Sequence, residues 1–246
     1  MASKAKKSVA DPRRARLDEL RAQQKASERK RTMLIVGIAA VVGLLIIGLA
    51  AFPLYQQWQE GNRPVADFGV SAAAANCGEV IDDPATGAND HVGPGTATPD
   101  VTTIEYATAP PSSGQHFGVS SGFARNFYTR DDTPPVENLV HNLEHGATIV
   151  WYDDAVSDEE VDELEGLANR ITADAPKFIV AAWSSERGDF PEGSIAMSHW
   201  SDAPEGSAEG TPGTGHRQYC EQVSGEAINE FVVEFPYTDS PEPNAG

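Results

Sequence analysis

Three observations predict an α+β fold with one small extracytoplasmic domain after a single N-terminal transmembrane helix. Residues 33–52 form an uncharged apolar run. Opposite net charges flank that run. Between residues 101 and 235, β-branched runs alternate with segments of helical periodicity, the pattern of strands and helices sharing one core.

The apolar run, Met33–Phe52, reads MLIVGIAAVVGLLIIGLAAF. As a helix, twenty such residues are about 30 Å long and match a bilayer core. A helix also pairs its backbone groups internally, which hydrocarbon demands. Residues 1–32 hold eleven Lys/Arg against four Asp/Glu, net +7; the remaining residues hold seven against 33, net −26. Arg29, Lys30 and Arg31 abut the start of the run, and Arg63 is the one basic residue in the twenty that follow it. The positive-inside rule therefore places residues 1–32 in the cytoplasm and the acidic part outside. The basic residues suit anionic lipid headgroups, each contributing about 1 kcal/mol. A cleaved leader ending at Gly48-Leu49-Ala50 is the competing reading. The length of the apolar run and of the basic region before it favours an anchor in the cell membrane. At net −26 the outer part attracts cations and repels nucleic acid.

The expected organisation is a basic cytoplasmic segment (1–32), a transmembrane helix (33–52), a connector and loop (53–100), the α+β domain (101–235) and a Pro-rich tail (236–246). Residues 11–31 read as a basic helix, and 83–100 as a Gly/Pro/Asp loop. Val101–Tyr106 (VTTIEY) is β-branched and predicts a strand. Ala109–Gly114 (APPSSG) predicts a turn leading to His116. Pro135–His145 predicts a short helix, with Pro135 in its first turn and Gly146 at its C-terminal cap. Ala147–Tyr152 predicts a strand. Ser157–Ile171 predicts a helix, with Ser157 and Glu160 as a capping box and Val161, Leu164, Leu167, Ala168 and Ile171 as its apolar stripe. Lys177–Trp183 and Ser194–Trp200 predict strands, 201–215 a loop, and Glu226–Phe235 a last helix or strand. Cys77 and Cys220 both fall on the outer side, where an oxidising compartment and an even count favour one disulfide. Free or metal-binding thiols are the alternative.

All six histidines, at 91, 116, 141, 145, 199 and 216, follow the apolar run. His141 and His145, in HNLEH, lie one helical turn apart, so both imidazoles leave the same face. That is the spacing by which two helical histidines chelate one ion. The same string fits the H-x-x-E-H pattern of inverted zinc peptidases, in which Glu144 activates water and Glu221 or Glu226 supplies a further ligand. The plainer alternative makes His145 a helix-dipole partner, contributing up to ~1 kcal/mol, and His141 a core histidine. Gly118–Gly122 (GVSSG) spells the serine-hydrolase elbow with Ser120 as nucleophile, but no apolar strand precedes it.

A wider pattern surrounds HNLEH. Tyr106 precedes Pro110, Pro111, Ser112, Ser113, Gly114 and His116; then come Val140, His141, Leu143, Glu144, His145 and Gly146, and Tyr152 at a strand end. With His91-Val92 before them, and Ala182-Trp183 and Ser240-Pro241-Glu242 after them, these residues resemble the actinobacterial and bacterial family catalogued as domain of unknown function 3105. His199 departs from the pattern, standing where a small residue is expected. The resemblance implies a secreted or membrane-anchored domain with no established activity. It draws His91, His116, His141 and His145, with Glu144, into one motif set. Such a set suits a zinc or copper ion, and Met197 with His199 would extend a copper site. Three functions follow as expectations: a tethered metal-binding domain, handing copper to a respiratory enzyme or sensing the metal; a non-catalytic accessory subunit of a respiratory membrane complex; and a zinc hydrolase with Glu144 as base.

Overall fold

The computed structural model describes residues 12–172 and 175–245. The chain divides into two compact units, Met1–Trp58 and Gln59–Gly246. Residues 1–11 of the basic segment lie outside the described residues. The rest of that segment and the apolar run form one helix, α1 (Pro12–Gly61), with Pro53 inside it. Its stretch from Glu19 to Gln56 is long and apolar enough to cross a membrane.

The second unit is mixed α and β. Its elements are α2 (Ala72–Ala75), β1 (Ile81–Pro84), β2 (His91–Val92), β3 (His116–Phe117), β4 (Phe127–Tyr128), α3 (Val136–Glu144), β5 (Thr148–Tyr152), α4 (Asp158–Ile171), β6 (Phe178–Ala182), β7 (Ile195–Ser201), β8 (Thr214–Cys220) and α5 (Gly225–Glu234). Six strands form one sheet in the order β1-β8-β7-β5-β6-β4. The β4, β6 and β5 neighbours run parallel, and the remaining pairs are antiparallel. β2 and β3 make a separate parallel pair that sets His91 opposite His116.

Strand alternation divides the core into two layers. Val150 and Tyr152 of β5, with Ile195 and Met197 of β7, pack in one cluster with Leu164, Leu167 and Ile171 of α4 and Ile228 and Phe231 of α5. Ile149 and Trp151, with Ala196 and Trp200, pack in the other against Leu139, Val140 and Leu143 of α3. Leu143 is fully buried, and truncating such a side chain to Ala costs about 2–5 kcal/mol. The α4 capping box forms as expected, Ser157 and Glu160 each satisfying the other's backbone N–H.

Four expectations are corrected. Val101–Tyr106 is coil. It lies against α3, where Ile104 N donates to Glu137 Oε1 and Arg187 donates to Ile104 O, so side chains take the place of a strand partner. Residues 214–220, part of which read as loop, form β8. Its polar residues are buried because each has a partner: His216 meets Asp82 at 2.7 Å, Arg217 meets Asp83, and Cys220 is disulfide-bonded to Cys77. β1, inside the stretch read as connector, is the edge strand carrying those two aspartates. The tail is docked: Ser240 is buried, and Glu242 N donates to Glu144 O at 2.9 Å.

Candidate metal centre

The centre is built on the last turn of α3, whose inner face is fixed to the sheet. Its other faces are covered by coil. Asn142 holds one coil segment by accepting from Ser121 N and donating to Gly122 O. Glu137 holds another through Ile104 N and Arg187, the latter at 2.8 Å. Thus a helix with polar residues on several faces is buried nearly all round, with Glu137 and Asn142 hydrogen-bonded to the coil that covers them. The same packing brings β2 and β3 over His141 and Glu144.

His91, His116, His141 and Glu144 each offer one ligand atom, all within 4.8 Å of one another. Ring centroids of His91–His116, His91–His141 and His116–His141 lie 4.8, 4.8 and 4.7 Å apart. Ligands about 2.1 Å from one ion stand roughly 3–4 Å apart, so a modest inward shift brings the four to bonding distance. His116 Nδ1 lies 2.8 Å from Gly114 O, and His141 Nδ1 lies 2.6 Å from Phe117 O. A carbonyl only accepts, which puts the proton of each ring on Nδ1 and leaves the Nε2 lone pairs facing the cluster. Carbonyls behind the rings in this way orient metal-ligating histidines.

Glu144 is fully buried. Its Oε1 accepts from Asn89 N at 2.5 Å. Its Oε2 lies 2.9 Å from His116 Nε2 and 3.6 Å from His91 Nε2. Despite that closeness, neither His116 Nε2 nor Glu144 Oε2 makes an aligned hydrogen bond, and both atoms are buried. Two donor atoms at contact distance that do not bond each other could both serve one metal ion. Burial pushes the His141 imidazole down to about 4, assisted by the neighbouring imidazoles and opposed by the Phe117 carbonyl. Burial alone would raise Glu144, but His116 and the Asn89 amide outweigh it and hold the carboxyl below its usual range. Both shifts favour a neutral His141 and an ionised Glu144, the forms in which these groups bind a metal.

His145 follows on the same face, with its Nε2 3.0 Å from His141 Nε2. Glu144, His145 and Glu242 form a second donor group within 4.8 Å. His145 Nδ1 is buried without a partner, and its Nε2 lies 3.4 Å from Glu242 Oε2. Burial also lowers the His145 pKa. Four of the five expected ligands, His91, His116, His141 and Glu144, fall in one group, while His145 falls in the second with Glu144 and Glu242, a residue not among the expected ligands. Its one signal was its place in the Ser240-Pro241-Glu242 motif.

Other candidates lie elsewhere. Met197 is buried in the opposite core layer. His199 shares its strand parity and contacts Asp239, Thr148 and the Ala147 carbonyl, so neither extends the centre. Glu221 accepts from Asn76 and Glu226 from Ala72 N, away from Glu144. Ser120 lies in coil and accepts from Gly122 N, which is no nucleophile elbow.

A family model described as "Protein of unknown function (DUF3105)" matches residues 98–246. No curated protein and no solved structure matches the chain. The matched span holds His116, His141, Glu144, His145 and Glu242; His91 stands seven residues ahead of it. On the extent of that match, the chain belongs to the DUF3105 family of proteins of unknown function.

Proposed function

We propose that this protein is a membrane-tethered, extracytoplasmic domain that binds a divalent transition ion, zinc or copper(II), and handles that metal for a respiratory membrane complex. One observation carries the metal reading. The buried atoms His116 Nε2 and Glu144 Oε2 stand 2.9 Å apart without hydrogen-bonding, within a group that includes His91 and His141. Leaving two buried polar atoms unsatisfied costs about 1–3 kcal/mol each, and a bound ion removes that cost. Three imidazoles and a carboxylate suit zinc or copper(II) over magnesium or calcium, which prefer oxygen. In this reading the ion is held by His91, His116, His141 and Glu144 and serves as a Lewis acid or as cargo.

Glu144 is better suited to be a ligand than a free base. It is fully buried, and its oxygens face Asn89 N, His116 and His91. The extracytoplasmic placement rests on the charge flanking the apolar run, and the Cys77–Cys220 disulfide is consistent with it. The test is metal analysis of the detergent-solubilised full chain after zinc or copper(II) loading and desalting. Bound metal in the wild type, lost in the His141→Ala/His145→Ala double variant, supports the reading; no metal in the folded wild type ends it. Co-purification from solubilised membranes tests the respiratory partner separately.

A further inference from the structure

We propose that the centre holds two divalent ions bridged by Glu144, one on His91, His116 and His141 and the other on His145 and Glu242. This inference rests on the metal reading above. The donors do not gather around a single point. They fall into two groups that have only Glu144 in common, the ligand atoms of each lying within 4.8 Å of one another. A four-coordinate ion is filled by His91, His116, His141 and Glu144, which leaves His145 and Glu242 without an ion. Two ions sharing a carboxylate at roughly 3.5–4 Å separation serve both groups.

The donor orientations point the same way. His141 Nε2 and His145 Nε2 lie 3.0 Å apart, and His141 holds its proton on the far nitrogen against Phe117 O. His145 has Glu242 Oε2 at 3.4 Å and a buried Nδ1 with no partner, so it has donor capacity that the first group does not use. The two carboxylates offset part of the charge of a second cation, which the histidine-rich first group alone would not.

Glu242 is delivered by a docked segment. Gly146, at φ +94°, lets that segment approach: a Cβ there would lie 2.4 Å from Tyr237 O. Glu242 N donates to Glu144 O at 2.9 Å. Lys177 Nζ donates to His145 O at 2.7 Å, to Pro243 O at 2.9 Å and to Ala245 O at 2.6 Å. One ammonium thus ties the end of α3 to the segment that carries Glu242.

The experiment titrates zinc alone into the metal-free, detergent-solubilised full chain and counts ions per chain. It also records the EPR spectrum of the copper(II)-loaded protein. Two side chains at the edge of the centre, each about one-third exposed, give variants that keep the fold: Glu242 and His91. The wild type is expected to bind two zinc ions and, with copper(II), to show the half-field signal of a coupled pair. Glu242→Ala should bind one ion and lose that signal. His91→Ala should weaken the first ion at least tenfold and keep the second. One ion per wild-type chain, with no coupled signal, overturns the two-ion centre and leaves the single-ion reading standing. No bound ion overturns both.

Discussion

The Nε2 atoms of His141 and His145 lie 3.0 Å apart on one face of α3, and Phe117 O holds the far side of the His141 ring. Two imidazoles this close have room for at most one proton between them, and burial keeps both from charging. Metal binding and stability are therefore coupled through the same pair.

Zinc should stabilise the folded chain. Free zinc at 100 times Kd adds about 2.7 kcal/mol, which for a domain of this size raises Tm by roughly 5–11 °C. Differential scanning fluorimetry should show the rise in the wild type and a smaller rise in His141→Ala. An equal rise in both would detach the metal from α3.

Acid should destabilise the metal-free protein. His141 is lowered to about 4 in the folded state, from an ordinary 6.5. Between those values the unfolded chain binds more protons, so the stability present above pH 6.5 drains away as pH falls toward 4. His145, lowered in the same direction, adds to the loss, and Glu144 extends it at more acidic pH. Urea midpoints measured from pH 7.5 to 4 should fall monotonically. A midpoint that holds or rises across that window would show that the two imidazoles are not buried neutral.

Reduction should weaken the second unit. The Cys77–Cys220 disulfide closes a loop of 143 residues, for which loop-closure entropy predicts a loss of about 5 kcal/mol on cleavage. The paired substitution Cys77→Ser/Cys220→Ser, compared with wild type by chemical denaturation, measures it. An unchanged midpoint would refute the loss.

Lys177→Met should release the C-terminal segment. The ammonium donates to three carbonyls, two of them in that segment, and losing such charge-assisted bonds costs about 2 kcal/mol. Limited proteolysis should then cut near residues 236–245 faster in the variant than in wild type, with the sheet still protected. Equal cutting rates would mean that other contacts hold the segment.

Residues 33–52 should behave as an integral anchor. Alkaline carbonate washing should leave the protein in the membrane pellet, and Leu44→Arg/Ile46→Arg should shift it to the supernatant, because each central charge costs about 3 kcal/mol in a bilayer. Protease added outside intact cells should reach the second unit; protection there would reverse the proposed orientation.

Much was legible in local sequence. The apolar run is read by counting, since a helix of twenty such residues has one length. The capping box at Ser157 and Glu160, the helix ending before Gly146, and the HNLEH pair are effects of residues within one or two turns of each other. The resemblance also supplied His91 and His116, although the spacing of neither implies a ligand.

The tertiary structure decided what depends on distant partners. β8 is a strand because Asp82, Asp83 and Cys77, more than 130 residues earlier, meet its His216, Arg217 and Cys220. VTTIEY is not a strand: at its centre Ile104 N and O pair with the side chains of Glu137 and Arg187 instead of with a neighbouring strand. Met197 and His199 fall away from the centre because a strand turns alternate residues to opposite faces, and only the sheet register says which face meets α3. Glu242 reaches His145 because Gly146 has no side chain and Lys177 grips the returning chain. Periodicity reports which residues share a face; which faces meet is settled by packing across the whole chain.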